Sequence, residues 1–286
     1  MVAKFQQTIS TMENKKAERI SKAVTFCLGI FLIGVIVQLL GKAKGDSLVF
    51  PGVFEILKAF FRLLKDGRTY HLILTTLIHL FLSLLFSTVI AVSLGMAEGL
   101  CPFVQNLLKP LMTMLRSIPI IVLVVIIMVL TEYSKVPVIA SCLVLVPLIS
   151  EATCEGCKRI DRELIDVYRL NGSFSARILF KVYIPLMSGY LKQAYVNAVG
   201  MGIKIVITTE YLVQTRNSLG KAVFSSSYFN EYEEIYAYAL IMILLVLLLS
   251  EIPVVVAKCC APLWSCGEAS REATERIASS GTAAER

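Results

Sequence analysis

Charge is scarce in this 286-residue chain: Asp, Glu, Lys and Arg make up 17% of it, against 56% hydrophobic residues. Soluble domains carry about 25% charged residues, so a mainly water-facing protein is excluded. A disordered chain is excluded too, because it could not keep this much aliphatic surface solvated. Histidine is scarcer still, with only His71 and His79. No His-Glu-x-x-His exists for a zinc hydrolase, no Gly-x-Ser-x-Gly for a serine nucleophile, and no Gly-x-x-x-x-Gly-Lys-Ser/Thr to cradle phosphate. These absences remove the common enzyme classes, and no metal or cofactor site is expected in this chain.

What the chain has is long apolar runs. A bilayer core roughly 30 Å thick needs about 18 or more such residues at 1.5 Å of rise each. Ala23 to Leu40 and Leu72 to Ala97 are uncharged, Tyr236 to Ala257 carries only Glu251, and Leu186 to Thr209 carries Lys192 and Lys204. Ser117 to Ser150 is split by Glu132 and Lys135. It reads as a hairpin of two helices, the first starting near Leu111 with Arg116 close to the headgroups. The prediction is an all-α polytopic membrane protein with six spans, against a rival count of five.

The net charge of +7 invites a nucleic-acid reading, but its distribution speaks for membrane orientation. With six spans and both termini inside, inner segments hold 17 of the 28 Lys and Arg, outer segments 9, and Lys192 and Lys204 lie within a span. Such a bias places both termini in the cytoplasm. Six of the outer charges fall in residues 41–71, where Val53, Phe54, Leu57, Phe60, Phe61 and Leu64 recur with helical period opposite Glu55, Lys58, Arg62 and Lys65. This segment is predicted to lie on the lipid surface, or else to pack into the core. No cysteine falls in an outer loop, as the same topology requires. Cys154 and Cys157 form a CxxC. A zinc site could draw on Cys259, Cys260 and Cys266, but free thiols of a cytosolic face are the plainer reading.

Residues 1–22 are polar and basic and precede a run longer than a signal-peptide core, so that run is expected to be a retained span. Residues 23–257 form the transmembrane domain, and 258–286 a cytoplasmic tail expected to be mobile. The largest inner loop, 151–185, reads as two short helices separated by Asn171-Gly172, a turn signal, with Pro185 opening the next span.

Asp166-Val167-Tyr168-Arg169-Leu170-Asn171-Gly172 followed by Val182-Tyr183-Ile184-Pro185 resembles the EAA loop of ABC importer permeases. The spacing of Gly172 and Pro185 matches without a gap; Asp166 stands for the family Glu, and Val167 and Tyr168 replace two alanines. Leu48-Val49-Phe50-Pro51, Arg116-Ser117-Ile118-Pro119, Lys204 with Glu210, and Ser218-Leu219-Gly220 look like the nitrate/sulfonate/taurine-type branch. The resemblance implies a six-span MetI-like permease in the cell membrane, working as a homodimer. It further implies that two cytosolic ABC ATPase subunits bind the ATP and that an extracytoplasmic binding protein delivers the solute. Asp166, Tyr168, Arg169, Gly172 and Pro185 would couple the chain to the ATPase. The solute would be a small polar or anionic one. An ion-gradient-coupled secondary transporter is the alternative, although no related halves are visible.

Charges inside spans cost roughly 2.5 to 3.5 kcal/mol at mid-membrane unless they face protein or water. Lys204 and Glu210 are six residues apart and do not stack along a helix. Each therefore needs a partner from another span or subunit, or a place on the pathway. His79, in mid-span, is either a hydrogen-bonded structural residue or a pathway residue.

Overall fold

The computed structural model describes residues 51–160 and 183–250. It divides into two compact units: within the described residues, one comprises 51–65 with 226–238, the other 66–160, 183–225 and 239–250.

In the smaller unit, α1 (Val53–Lys65) starts with the Gly52 N–H donating to Glu55 Oε2 at 2.7 Å, one half of a capping box. Glu55 in its first turn and Arg62 and Lys65 in its last both suit the helix dipole. The helix has three faces. Ala59 and Leu63 are buried, Phe54, Leu57 and Phe61 are exposed, and Lys58, Arg62 and Lys65 form a basic edge. The apolar face named from periodicity is thus largely open, while a second, smaller apolar face packs into protein. Arg62 pairs with Glu234 at 2.9 Å.

The larger unit is organised around α5 (Val136–Lys158), the most buried of its long helices. Packed on it are α2 (Gly67–Leu100) and α6 (Ser188–Val213). Asp66 caps α2 by accepting from the Arg68 N–H at 3.0 Å. Down one side of α2 run Ser83, Ser87, Ala91 and Gly95, all buried and four residues apart, a ridge of small side chains that lets two helices approach closely. A Cβ on Gly95 would stand 2.5 Å from the Ser150 carbonyl oxygen, so the backbones of α2 and α5 meet there. Several hydroxyls of this helix turn back onto its own carbonyls, as in Ser83 to His79 at 2.6 Å and Thr88 to Leu84 at 2.6 Å. That satisfies them without water.

Between α2 and α5 lie α3 (Pro102–Ser117) and α4 (Ile120–Leu130), bent from each other by 101°. The expected third span does not run as one straight helix from near Leu111. Pro119 drives Ile118 to an extended conformation (ψ 124°), because the residue before a proline is pushed out of the helical region. The 11 residues of α4 extend about 16 Å, half a bilayer core. The turn predicted at Glu132 and Lys135 is present, closed by a 3.0 Å ion pair between them. Beyond Ser150, α5 continues to Lys158, so the start of the 151–185 segment is helical.

A short helical turn, Ile184–Leu186, leads into α6. Past the left-handed Gln214 (φ 55°) and Asn217 (φ 53°), the chain enters α7 (Leu219–Tyr228), where the Ser218 hydroxyl accepts from the Lys221 N–H at 3.2 Å. The last described helix, α8 (Tyr232–Ser250), packs Leu245, Val246 and Leu249 near Leu80, Ile203 and Val206.

Four described helices, α2, α5, α6 and α8, are long and apolar enough to cross a membrane, and the bent α3/α4 pair makes a fifth if it is one span. The first predicted span, 23–40, and the tail from 258 lie outside the described residues.

Candidate functional site

Glu210 lies four residues before the left-handed residue that ends α6, where the helix dipole disfavours an anion, and its side chain is fully buried. A desolvated carboxylate there is costly unless charge and hydrogen bonds compensate it. Three donors do. His79 Nδ1 lies 2.7 Å from Oε1, the Thr76 hydroxyl donates to Oε2 at 2.8 Å, and the Gly220 N–H donates to Oε2 at 3.3 Å. An ionised carboxylate only accepts, and in that form Nδ1 is the ring nitrogen that donates. The Thr76 oxygen in turn accepts from the Leu219 N–H at 3.1 Å. These amides open α7, where backbone N–H groups lack helical partners and favour negative charge. Gly220 is required by proximity: a Cβ there would come within 2.5 Å of Glu210 Cβ and the Tyr211 nitrogen.

Lys204 is placed apart from this cluster. It is exposed, and none of the ion pairs among the described residues includes it. It shares one face of α6 with Gln193, Asn197 and Thr208, also exposed. At 100° per residue the four span an arc of about 60° and a length of about 22 Å. A cavity of about 530 Å³ opens at the loop-proximal end of this stripe, lined by Glu151, Glu155, Tyr190, Gln193 and Asn197. Next to it Arg116 donates to the Pro147 carbonyl at 2.8 Å and pairs with Glu151. Arg116 is therefore bound to α5.

Of the residues singled out from sequence, His79 and Glu210 are brought together and Lys204 is not. Asp166, Tyr168, Arg169 and Gly172 lie outside the described residues; Pro185 lies in the turn before α6. Thr76 was missed, although its spacing of three from His79 puts both on one face of a helix. The pairing of Arg116 with Glu151 was missed as well. Cys154 and Cys157 are free and buried, and the described residues contain no cluster of three or more His, Cys, Asp or Glu suited to a metal ion.

Residues 87–262 match the family described as binding-protein-dependent transport system inner membrane component. The chain belongs to this family. The permease is similar to a probable ABC transporter permease protein of Brucella melitensis biotype 1, at 25% identity over 193 residues, covering 66% of this chain and 77% of that protein. A probable ABC transporter permease protein of Brucella abortus shows the same identity and covers 76% of its own length. Among solved structures, a chain of the MetNI methionine ABC transporter in inward facing conformations matches the permease with a TM-score of 0.56 and 16% identity. It covers 66% of this chain and 93% of that one, so the two share a fold. The family match begins at Ser87. Glu210, Leu219 and Gly220 of the buried cluster are inside it, and Thr76 and His79 precede it.

Proposed function

We propose that this permease is the membrane subunit of an ABC importer, in which two copies of the chain enclose the solute pathway and the 151–185 segment docks onto cytosolic ATPase subunits. The single observation that carries the pathway reading is the exposed polar stripe on α6. A lysine facing lipid in the middle of a 26-residue apolar helix is disfavoured by a few kcal/mol, roughly 2.5 to 3.5. A water-filled path between two copies removes that cost for Lys204, and Gln193, Asn197 and Thr208 continue the wetted line along the helix. The lysine supports a small polar or anionic solute of the nitrate/sulfonate/taurine type, delivered by an extracytoplasmic binding protein. Both termini are cytoplasmic in this reading, and ATP is bound by the partner subunits.

For coupling, the resemblance makes residues 151–185 the coupling element, with Gly172 and Pro185 its family-matching positions, Tyr168 an apolar contact and Asp166 and Arg169 charged ones. The ATPase drives transport through the different contact free energies of its open and closed states with that element. The test is co-expression of the full chain with candidate ATPase and binding-protein subunits taken from its genomic neighbourhood, purification through a tag on the permease, and reconstitution in vesicles. A stable complex whose ATP hydrolysis rises with loaded binding protein is expected. Uptake that needs an ion gradient and no ATP would replace this reading with a secondary transporter.

A further inference from the structure

We propose that Glu210 is a positioning residue of the transport cycle, a buried latch that holds the first turn of α7 onto α2 and α6 at the end of α6 remote from the ATPase-docking loop. This rests on the importer reading above.

An ionisable group inside a membrane helix is a functional candidate by default, and the placement of this one argues against simple packing. Glu210 sits where its own helix disfavours it, and it is 22 residues from Ser188, about 33 Å along α6 from the loop side. Its partners come from two other segments: Thr76 and His79 from α2, and the Gly220 amide from α7. The Leu219 amide joins through the Thr76 hydroxyl. One carboxylate on α6 is thus the shared acceptor of donors from two other segments, α2 and α7, which also meet directly through the Leu219–Thr76 hydrogen bond.

The Cβ limit at Gly220 shows that α7 enters in backbone contact with α6. Losing the carboxylate would leave the Gly220 amide without its acceptor and the Leu219 amide held through the Thr76 hydroxyl alone. The exposed face bearing Lys204 and Thr208 lies on the same last turns of α6. An ordered α7 start therefore fixes how that face closes around solute. With the latch broken, the nucleotide cycle continues but no longer answers to solute.

The test compares Glu210→Gln, Thr76→Val and Thr76→Ser with wild type, each as the full chain in the assembled complex. Gln keeps shape but offers an NH2 where only acceptors fit, Val removes the hydroxyl at constant volume, and Ser retains it. Two readouts are taken: amide hydrogen exchange at Leu219 and Gly220, and the ratio of solute-stimulated to basal ATP hydrolysis. In Glu210→Gln and Thr76→Val, exchange at these amides is expected to rise about tenfold and the ratio to fall by a similar factor with basal hydrolysis retained. Thr76→Ser should match wild type. A purely structural role would lower assembly and both rates together and leave the ratio unchanged, which overturns the proposal. So would unchanged exchange in Glu210→Gln and Thr76→Val. A wild-type complex without stimulated hydrolysis would fault the importer reading itself, and that failure is distinguished by the wild-type arm.

Discussion

The Arg116 guanidinium grips two points of α5 one turn apart, the Pro147 carbonyl at 2.8 Å and the Glu151 carboxylate. Arg116 ends α3 just before the 101° bend, and Glu151 stands where α5 leaves the predicted span and runs toward the 151–185 loop. The pair therefore joins the bent helices to the element that continues into that loop. Its side chains are about half exposed, at 42% and 55%, and an exposed pair contributes only about 0.2–1 kcal/mol. Its contribution to stability is therefore small, and its expected part is to transmit motion between the two helices.

Charge reversal checks this. Arg116→Glu or Glu151→Arg alone is expected to leave expression and thermal midpoint nearly unchanged while reducing solute transported per ATP hydrolysed several-fold. The double reversal should recover part of the ratio. Recovery stays incomplete because a glutamate cannot donate to the Pro147 carbonyl. A double variant no better than either single one, measured in reconstituted vesicles, would rule the strut out.

The close crossing of α2 and α5 makes a prediction about folding alone. Adding a methyl at Gly95 places it 2.5 Å from the Ser150 carbonyl and 2.6 Å from Thr153 Cβ, both attached to backbone that cannot swing aside. Overpacking of this kind costs about 1–3 kcal/mol. Gly95→Ala should therefore lower the thermal midpoint in detergent by several degrees. Gly200→Ala on α6, with nothing within 4 Å of the added Cβ, should leave the midpoint of the single chain unchanged. Equal effects at the two positions would contradict the crossing.

How far these features could be read in the sequence depends on whether the signal is local. The amphipathic period of Val53 to Leu64 announces α1, and the Glu132 and Lys135 charges mark the turn before α5, because both are set by neighbours a few residues away. The small-residue ridge of Ser83, Ser87, Ala91 and Gly95 was equally legible as a four-residue spacing, though only the helix crossing shows what it packs against. Pro119 marks a break, but the angle of the bend is decided by where Arg116 and α4 find partners on α5. The buried cluster was least legible. A threonine in an apolar run leaves no periodic trace, and Thr76 meets Glu210 across 134 residues of chain. Sequence reasoning could state that Glu210 needed a partner from another segment, but not which one.

In the docking loop, Gly172→Asp is expected to leave membrane insertion and copy number intact while abolishing solute-stimulated ATP hydrolysis. Asn171-Gly172 is a turn signal in sequence, because glycine tolerates positive φ, and an aspartate there adds both a Cβ and a charge at the proposed contact with the ATPase. Tag-based recovery of the ATPase subunit together with hydrolysis rates would separate lost docking from lost coupling. Normal stimulated hydrolysis in this variant would refute the assignment of the loop.

Lys204 gives the sharpest division between pathway and scaffold. Because the side chain is exposed and takes part in no ion pair among the described residues, Lys204→Met should not destabilise the chain. A structural cation would behave in the opposite way, since removing one member of a buried pair leaves the other uncompensated, at a cost of about 3–5 kcal/mol. On the pathway, the charge attracts an anionic solute, so Lys204→Met is expected to cut uptake about tenfold or more with the thermal midpoint unchanged, and Lys204→Arg to retain most of it. Glu210, the carboxylate on the same helix, is fully buried and held by His79, Thr76 and the Gly220 amide. The positive charge on the open face of α6 is therefore not neutralised by Glu210. Loss of stability in Lys204→Met with normal uptake per folded molecule would move Lys204 from the pathway to the scaffold.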